Sequence, residues 1–120
     1  MKKILIVDDN MLIRNITGDI LKTLGYEVID ADDGYEGVKK AQKESPDLIL
    51  MDLNMPGMNG IEAMNKVKEI PGQEKIPVVA LTASAKEDEE GKLLGEGFDA
   101  YIMKPPAVEV LTNIIEDLLK

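Results

Sequence analysis

Along the chain, short apolar runs alternate with longer stretches in which apolar residues recur every three or four positions. The runs are Ile4 to Val7, Glu27 to Asp30, Leu48 to Met51, Pro77 to Leu81 and Ala100 to Met103, each of strand length. Between the first two, Leu12, Ile16, Ile20 and Leu24 repeat every fourth residue, with Ile13 and Leu21 widening the stripe and Gly25 as a stop, which predicts an amphipathic helix. A second helix is predicted from Gly34 to Glu44, closed by Ser45-Pro46. A third is capped by Asn59 and ends near Ile70, before Pro71-Gly72. A fifth carries Val108, Leu111, Ile115 and Leu118 on one face. The fourth, about Lys86 to Glu96, has the poorest pattern: four consecutive acids, Glu87 to Glu90, an apolar face of only Leu93 and Leu94, and Gly91, which costs about 1 kcal/mol against Ala. It is expected to be the least firmly held element.

Apolar strands in strict alternation with helices predict a parallel sheet covered on both faces. Right-handed crossovers then give a doubly wound, three-layer αβα fold, with strand order 2-1-3-4-5 as the expected arrangement. The length, 120 residues with 44% hydrophobic content, suits one domain. Met1-Lys2-Lys3 reads as a natural start and the chain stops at Lys120 just as the last helix is complete, a pattern shared by a natural single-domain chain and by one piece of a larger protein. No apolar run reaches membrane-spanning length, so the expectation is a soluble, cytoplasmic protein without membrane insertion.

Charge and residue usage exclude several function classes. With 14 basic and 23 acidic residues the net charge is -9, which argues against direct nucleic-acid binding, a task for clustered Lys and Arg. There is no cysteine to form a disulfide or a thiolate nucleophile. There is no histidine for a catalytic triad or a common zinc site.

Folds of this class bind ligands beyond the carboxyl ends of their strands. The predicted first strand delivers Asp8 and Asp9 there, the third Asp52, the fourth Thr82 and the fifth Lys104. Two carboxylates about 4 Å apart repel by roughly 4 kcal/mol at an effective dielectric near 20, so three acids with one lysine require a counter-charge or raised pKa values. A hard divalent cation with oxygen ligands, magnesium (Mg2+), suits such a pocket. Asp52 is then a carboxylate nucleophile that can take a phosphoryl group as an acyl phosphate. Lys104 and the Thr82 hydroxyl would stabilise the transferred charge, with Ala83 and Gly57 small enough to leave room. Taken singly, Asp8-Asp9 reads as a helix cap, Asp52-Leu53-Asn54 as turn chemistry, Thr82 as a cap and Lys104 as a solvated side chain. Met51, Met55, Met58 and Met64 read as gap-filling packing. The convergence of four strands at one sheet edge is what favours a site.

Taken in order, ILIVDDN, DLILMDLNMPGMNG, IPVVALTA and YIMKP make the whole chain, 1–120, resemble the receiver domains of two-component response regulators, which have the flavodoxin-like fold. The resemblance implies that Asp52 is the phosphoacceptor. It implies that Asp9, Asp52 and the Asn54 backbone carbonyl ligate magnesium, with Asp8 acting through water. Lys104 would pair with the phosphate and precede a cis peptide to Pro105, and Ala83 would contact the phosphate. Thr82 and Tyr101 would form a switch pair that alters the helix 4, strand 5 and helix 5 face. The implied partners are a sensor histidine kinase or histidine phosphotransfer protein, which would supply the phosphohistidine, and a downstream protein target or output domain. Such a domain catalyses only its own phosphorylation and dephosphorylation. Pro106 departs from the Phe found in many receivers, and Asn54 and Ser84 occupy positions that influence dephosphorylation in the family.

Two other classes are weighed against this. A magnesium-dependent phosphatase of the haloacid dehalogenase type needs a second acid two residues after its nucleophile, where this chain has Asn54. A flavin or nucleotide carrier needs a phosphate-cradling first loop, where this chain has Asp8-Asp9-Asn10, and carboxylates repel phosphate.

Overall fold

The computed structural model of the protein describes residues 1–83 and 87–120, with side chains in the second stretch from residue 91 onward. Strands and helices alternate as β1 (Lys3–Val7), α1 (Met11–Thr23), β2 (Glu27–Ala31), α2 (Gly34–Glu44), β3 (Leu48–Asp52), α3 (Gly60–Lys68), β4 (Val78–Thr82), α4 (Glu87–Glu96), β5 (Ala100–Met103) and α5 (Val108–Leu118). All strand pairs are parallel and the sheet order is β2-β1-β3-β4-β5. This is the doubly wound, flavodoxin-like arrangement expected from the hydrophobic pattern. Among the described residues, no helix is long and apolar enough to cross a membrane.

The three central strands, β1, β3 and β4, bury both faces, and successive residues serve different cores. Leu5, Val7, Ile49, Met51, Val78 and Ala80 pack on one side with residues of α2, α3 and α4. Ile4, Ile6, Leu48, Leu50, Val79 and Leu81 pack on the other with Leu21 of α1 and Leu111 and Ile115 of α5. That is the two-residue period of a strand sandwiched between helix layers. The methionines Met51, Met55, Met58 and Met64 are all buried, as gap-filling side chains.

Element ends differ from the sequence expectation by one or two residues. Asp52 and Thr82 are the last residues of β3 and β4. β4 begins at Val78 because Pro77 has no N–H to give, although its carbonyl accepts from Ile49 N at 3.0 Å. α3 ends at Lys68, two residues early. Lys86, the expected start of the fourth helix, lies outside the described residues. Of the expected apolar pair of α4, Leu93 is buried and Leu94 is 46% exposed.

The stripe of α1 is the larger departure. Its buried residues are Thr17, Gly18 and Leu21, whereas Met11, Leu12 and Ile16 are exposed, Leu12 by 65%. The helix turns its small residues to the sheet so that it can lie close, with Val28 and Ile6 only 3.7 and 3.8 Å from a Cβ built on Gly18. The four-residue repeat therefore marks a face half of which is outside the core.

The start of α3 fixes the end of β3. Asn59 caps the helix by accepting from Glu62 N at 2.9 Å, and Gly60 N donates to Leu53 O at 3.0 Å. A Cβ on Gly60 would overlap the Asp52 carbonyl oxygen and stand 2.9 Å from Leu53 Cα. Backbone cannot yield as a flexible side chain can. Gly60→Ala is expected to destabilise the fold by about 3 kcal/mol and to displace Asp52, measurable by urea denaturation in the presence of a chelator.

Candidate functional site

Register explains why the polar residues meet. Val7 pairs with Met51, so Asp8, one step beyond β1, stands level with Asp52 at the end of β3. Thr82 pairs with Met103, so Lys104 is one step beyond, and Lys104 N donates to Thr82 O at 2.8 Å. Continuing the strand alternation, Asp52 and Lys104 fall on the side of α1 and α5, and Thr82 on the other.

Lys104 Nζ lies 2.9 Å from Asp8 Oδ2 and 2.8 Å from Asp52 Oδ1. Both acids are buried, Asp8 completely, and the Lys104 side chain is 15% exposed. The solvated-lysine reading therefore fails. Asp8 Oδ1 accepts from Asn10 N at 2.9 Å, and Asp52 Oδ1 also accepts from Asn54 N at 3.3 Å. The Asp52 oxygen thus serves a turn and an ion pair together. Asn10, and neither of the preceding acids, caps α1 by accepting from Ile13 N at 3.2 Å.

Asp9 is exposed at the mouth, and one carboxylate oxygen from each of Asp8, Asp9 and Asp52 falls within a common 4.8 Å. The Asp52 Oδ2 atom is buried and has no hydrogen-bond partner among the described residues. Three acids against one lysine leave an excess of negative charge, and a buried carboxylate oxygen is costly without a partner. Hard oxygen donors, an unsatisfied one among them, fit a small divalent cation such as magnesium.

The electrostatics follow from this crowding. Burial pushes the Asp52 carboxyl up to about 6, with the neighbouring Asp8 charge acting in the same direction and the Lys104 and Asn54 contacts acting against it. Burial alone would lower the Lys104 pKa, but hydrogen bonds and attraction from Asp52 and Asp8 outweigh it and hold the ammonium above its usual value.

Next to the acids, an open cleft of about 260 Å³ is lined by Asn54, Asn59, Thr82, Ala83 and Lys92 among others. Thr82 is buried and Ala83 exposed beside it. Gly57, expected to leave room in this cleft, instead lies against the Tyr35 ring, whose Cε2 is 2.9 Å from a Cβ built on Gly57. Tyr101 is half-buried on β5, packed at the edge of the core that contains Met51 and Ala80. The Lys104–Pro105 peptide is cis. Pro106 is buried, and α5 then starts at Val108 after an Ala107 cap that makes no side-chain hydrogen bond. Ser84 lies outside the described residues.

Sequence reading missed Arg14. Its Nη1 donates to the Asp8 carbonyl at 2.8 Å while its Nε lies 3.6 Å from Asp30 Oδ2, tying the loop after β1 to β2. A basic residue four positions after the Asn10 cap was the available signal, and it is an ordinary one.

The family model for the response regulator receiver domain matches residues 4–116. The polar-differentiation response regulator DivK of Brucella anthropi is 36% identical over 118 residues, 98% of this chain and 96% of DivK. The signal transduction histidine-protein kinase BarA of Escherichia coli K12 is 38% identical over 112 residues. That covers 93% of this chain but only 12% of the kinase's length. Among solved structures, the chemotaxis protein CheY4 of Vibrio cholerae superposes with a TM-score of 0.92 at 34% identity, covering 99% of each chain. The receiver domain of the sensor histidine kinase PA1611 from Pseudomonas aeruginosa, with a magnesium ion coordinated in its active site cleft, superposes at 0.89 and 30% identity, covering 98% and 97%. With the family match, a near full-length relative and the fold in agreement, this chain belongs to the response regulator receiver domains of two-component signalling.

Proposed function

We propose that residues 1–120 act as one phosphorylation-switched receiver domain in the cytoplasm, with Asp52 as the phosphoacceptor. The observation that carries this is the Asp52 carboxylate: one oxygen is held by Lys104 and Asn54, and the other is buried without a partner at the edge of an acidic cluster. The lone oxygen is the nucleophile. It attacks phosphorus of a phosphohistidine on a partner protein. The O–P bond forms as the P–N bond breaks, and the imidazole leaves with the electron pair.

Asp9, Asp52 and the Asn54 carbonyl would hold magnesium, with Asp8 acting through a water, its own oxygens being engaged by Asn10 and Lys104. When bound, the ion supplies positive charge to the acids and to the phosphoryl oxygens. Lys104 keeps Asp8 and takes the phosphate in place of the Asp52 carboxylate, the Thr82 hydroxyl turns toward it, and Ala83 borders it. Covalent phosphate brings about -1.5 to -2 charges into the pocket. A shift from 1:99 to 99:1 in favour of the active form needs about 5.5 kcal/mol of preference. Tyr101, at the edge of the core, is the ring that follows Thr82 inward and alters the α4, β5 and α5 face for a downstream target.

The donor is a sensor histidine kinase or histidine phosphotransfer protein, as membership of the receiver family implies, and it would supply the histidine this chain lacks. Exposed Met11 and Leu12 stand at the start of α1, directly after the Asp8-Asp9-Asn10 loop, and Ile16 continues that face. Such a patch beside a buried acceptor suits an apolar contact with the protein that carries the phosphohistidine.

Incubation with a small phosphodonor and magnesium should add one hydroxylamine-labile phosphate to the intact mass. Asp52→Asn should abolish the gain, and Lys104→Ala should retain metal binding while impairing the switch. A mass gain that persists in Asp52→Asn would reject the assignment of the acceptor.

The same pocket predicts an effect on stability. The carboxyl of Asp52 is harder to ionise in the folded chain than in the unfolded one, so its charge opposes folding above the folded pKa. In metal-free protein at about pH 8, Asp52→Asn should be more stable than wild type by on the order of 1–3 kcal/mol. As pH falls through about 6, the folded wild type takes up a proton before the unfolded chain does, and by about pH 5 the gap should narrow. Chemical denaturation across that range with a chelator present measures it.

A further inference from the structure

The mechanism makes no use of the first turn of α2, yet that turn packs against the end of β1 on one side and the loop after β3 on the other. On one side Gly37 lies against Val7, the last residue of β1, directly before the loop of Asp8 and Asp9: a Cβ there would stand 2.8 Å from Val7 Cγ2. On the other, Gly34 meets Met58, whose Cβ and carbonyl oxygen are both 3.0 Å from the position a Cβ would take. Tyr35, next in sequence, covers Gly57. The helix start is itself fixed, since Asp33 caps it by accepting from Glu36 N at 2.7 Å.

The segment 53–59 between β3 and α3 contains Asn54, whose carbonyl is the proposed metal donor. Its inner side is held by Met55 and Met58, 8% and 5% exposed, and its ends are joined by the Gly60 N to Leu53 O bond. Its outer side at Gly57 has a different cover. Gly57 has φ +82°, a conformation that leaves its Cα open, and the edge of the Tyr35 ring fills that space, with Cε2 at 2.9 Å, Oη at 3.5 Å and Cζ at 3.7 Å from a built Cβ. Tyr35 stays largely at the surface, the residue being 59% exposed. A large ring held at the surface against one glycine adds little to the core. What it does is limit how far the loop can lift.

We infer that Tyr35 is a positioning residue for magnesium: its ring, pressed on Gly57, holds the loop of Asn54 at the distance from Asp8 and Asp9 that the first turn of α2 sets. The inference rests on the proposed metal site. It requires the ring and not the hydroxyl, since the ring carbon Cε2 makes the closest contact.

The test uses the full chain and magnesium alone. Calorimetric titration should give Tyr35→Ala an affinity about tenfold weaker than wild type, while Tyr35→Phe stays within about twofold, the range in which groups that support metal ligands act. In metal-free protein, hydrogen exchange at Asn54, Gly57 and Met58 amides should be faster in Tyr35→Ala and unchanged in Tyr35→Phe. Exchange of β3 amides should be alike in all three, which separates loosening of the loop from loss of the fold. An affinity in Tyr35→Ala equal to wild type overturns the inference whatever its melting temperature, and so does equal weakening in both variants. Failure of wild-type protein to take up magnesium at millimolar concentration would instead remove the proposed metal site itself.

Discussion

One largely covered ammonium between two buried carboxylates is the constraint on which this structure turns. Lys104 reaches Asp8 and Asp52 across the ends of β1, β3 and β5, so three elements separated in sequence are joined at one atom. The pairing is incomplete by design of its charges: Asp9 adds a third acid, and one oxygen of Asp52 has no partner among the described residues. A fully neutral pocket would hold the sheet ends more firmly. It would also have nothing to offer a cation or a phosphoryl group.

The sheet makes this arrangement affordable. Every strand residue from Leu48 to Met51 is inaccessible to solvent, and so are Val78 to Leu81, so the centre of the sheet is apolar on both faces and the buried acids Asp8 and Asp52 stand with Thr82 at one edge. Register then does the rest. The pairings of Val7 with Met51 and of Thr82 with Met103 bring Asp8 level with Asp52 and Lys104 next to Thr82. A one-residue slip in either ladder would send a charged side chain to the opposite face and leave it unpaired.

Much of this was legible in the sequence because strand burial and turn chemistry are local properties. Continuous apolar runs such as LILM identified buried parallel strands, Asn59 signalled a cap, and doubly wound topology directed attention to the carboxyl ends. The boundaries at Asp52 and Thr82 were less legible, since a strand can retain a polar residue at its end when a partner waits there. The α1 stripe misled in part because periodicity reports which residues share a face, not whether all of that face meets the core; Leu21 and Ile20 of the stripe do, but beside them lie Thr17 and Gly18, which carry no apolar signal. Arg14 and Tyr35 escaped because their contacts, to the Asp8 carbonyl and to Gly57, depend on how loops fold back on helices.

The displaced stripe has an evolutionary corollary. Since Met11 and Leu12 contribute little to the interior, replacing them costs the fold little, as exposed substitutions generally change stability by no more than about 0.5 kcal/mol. On the proposal that this side of α1 meets the phosphodonor, duplicated copies of such a chain could diverge there and become addressed to different donors, while the acids and lysine beneath keep a common chemistry.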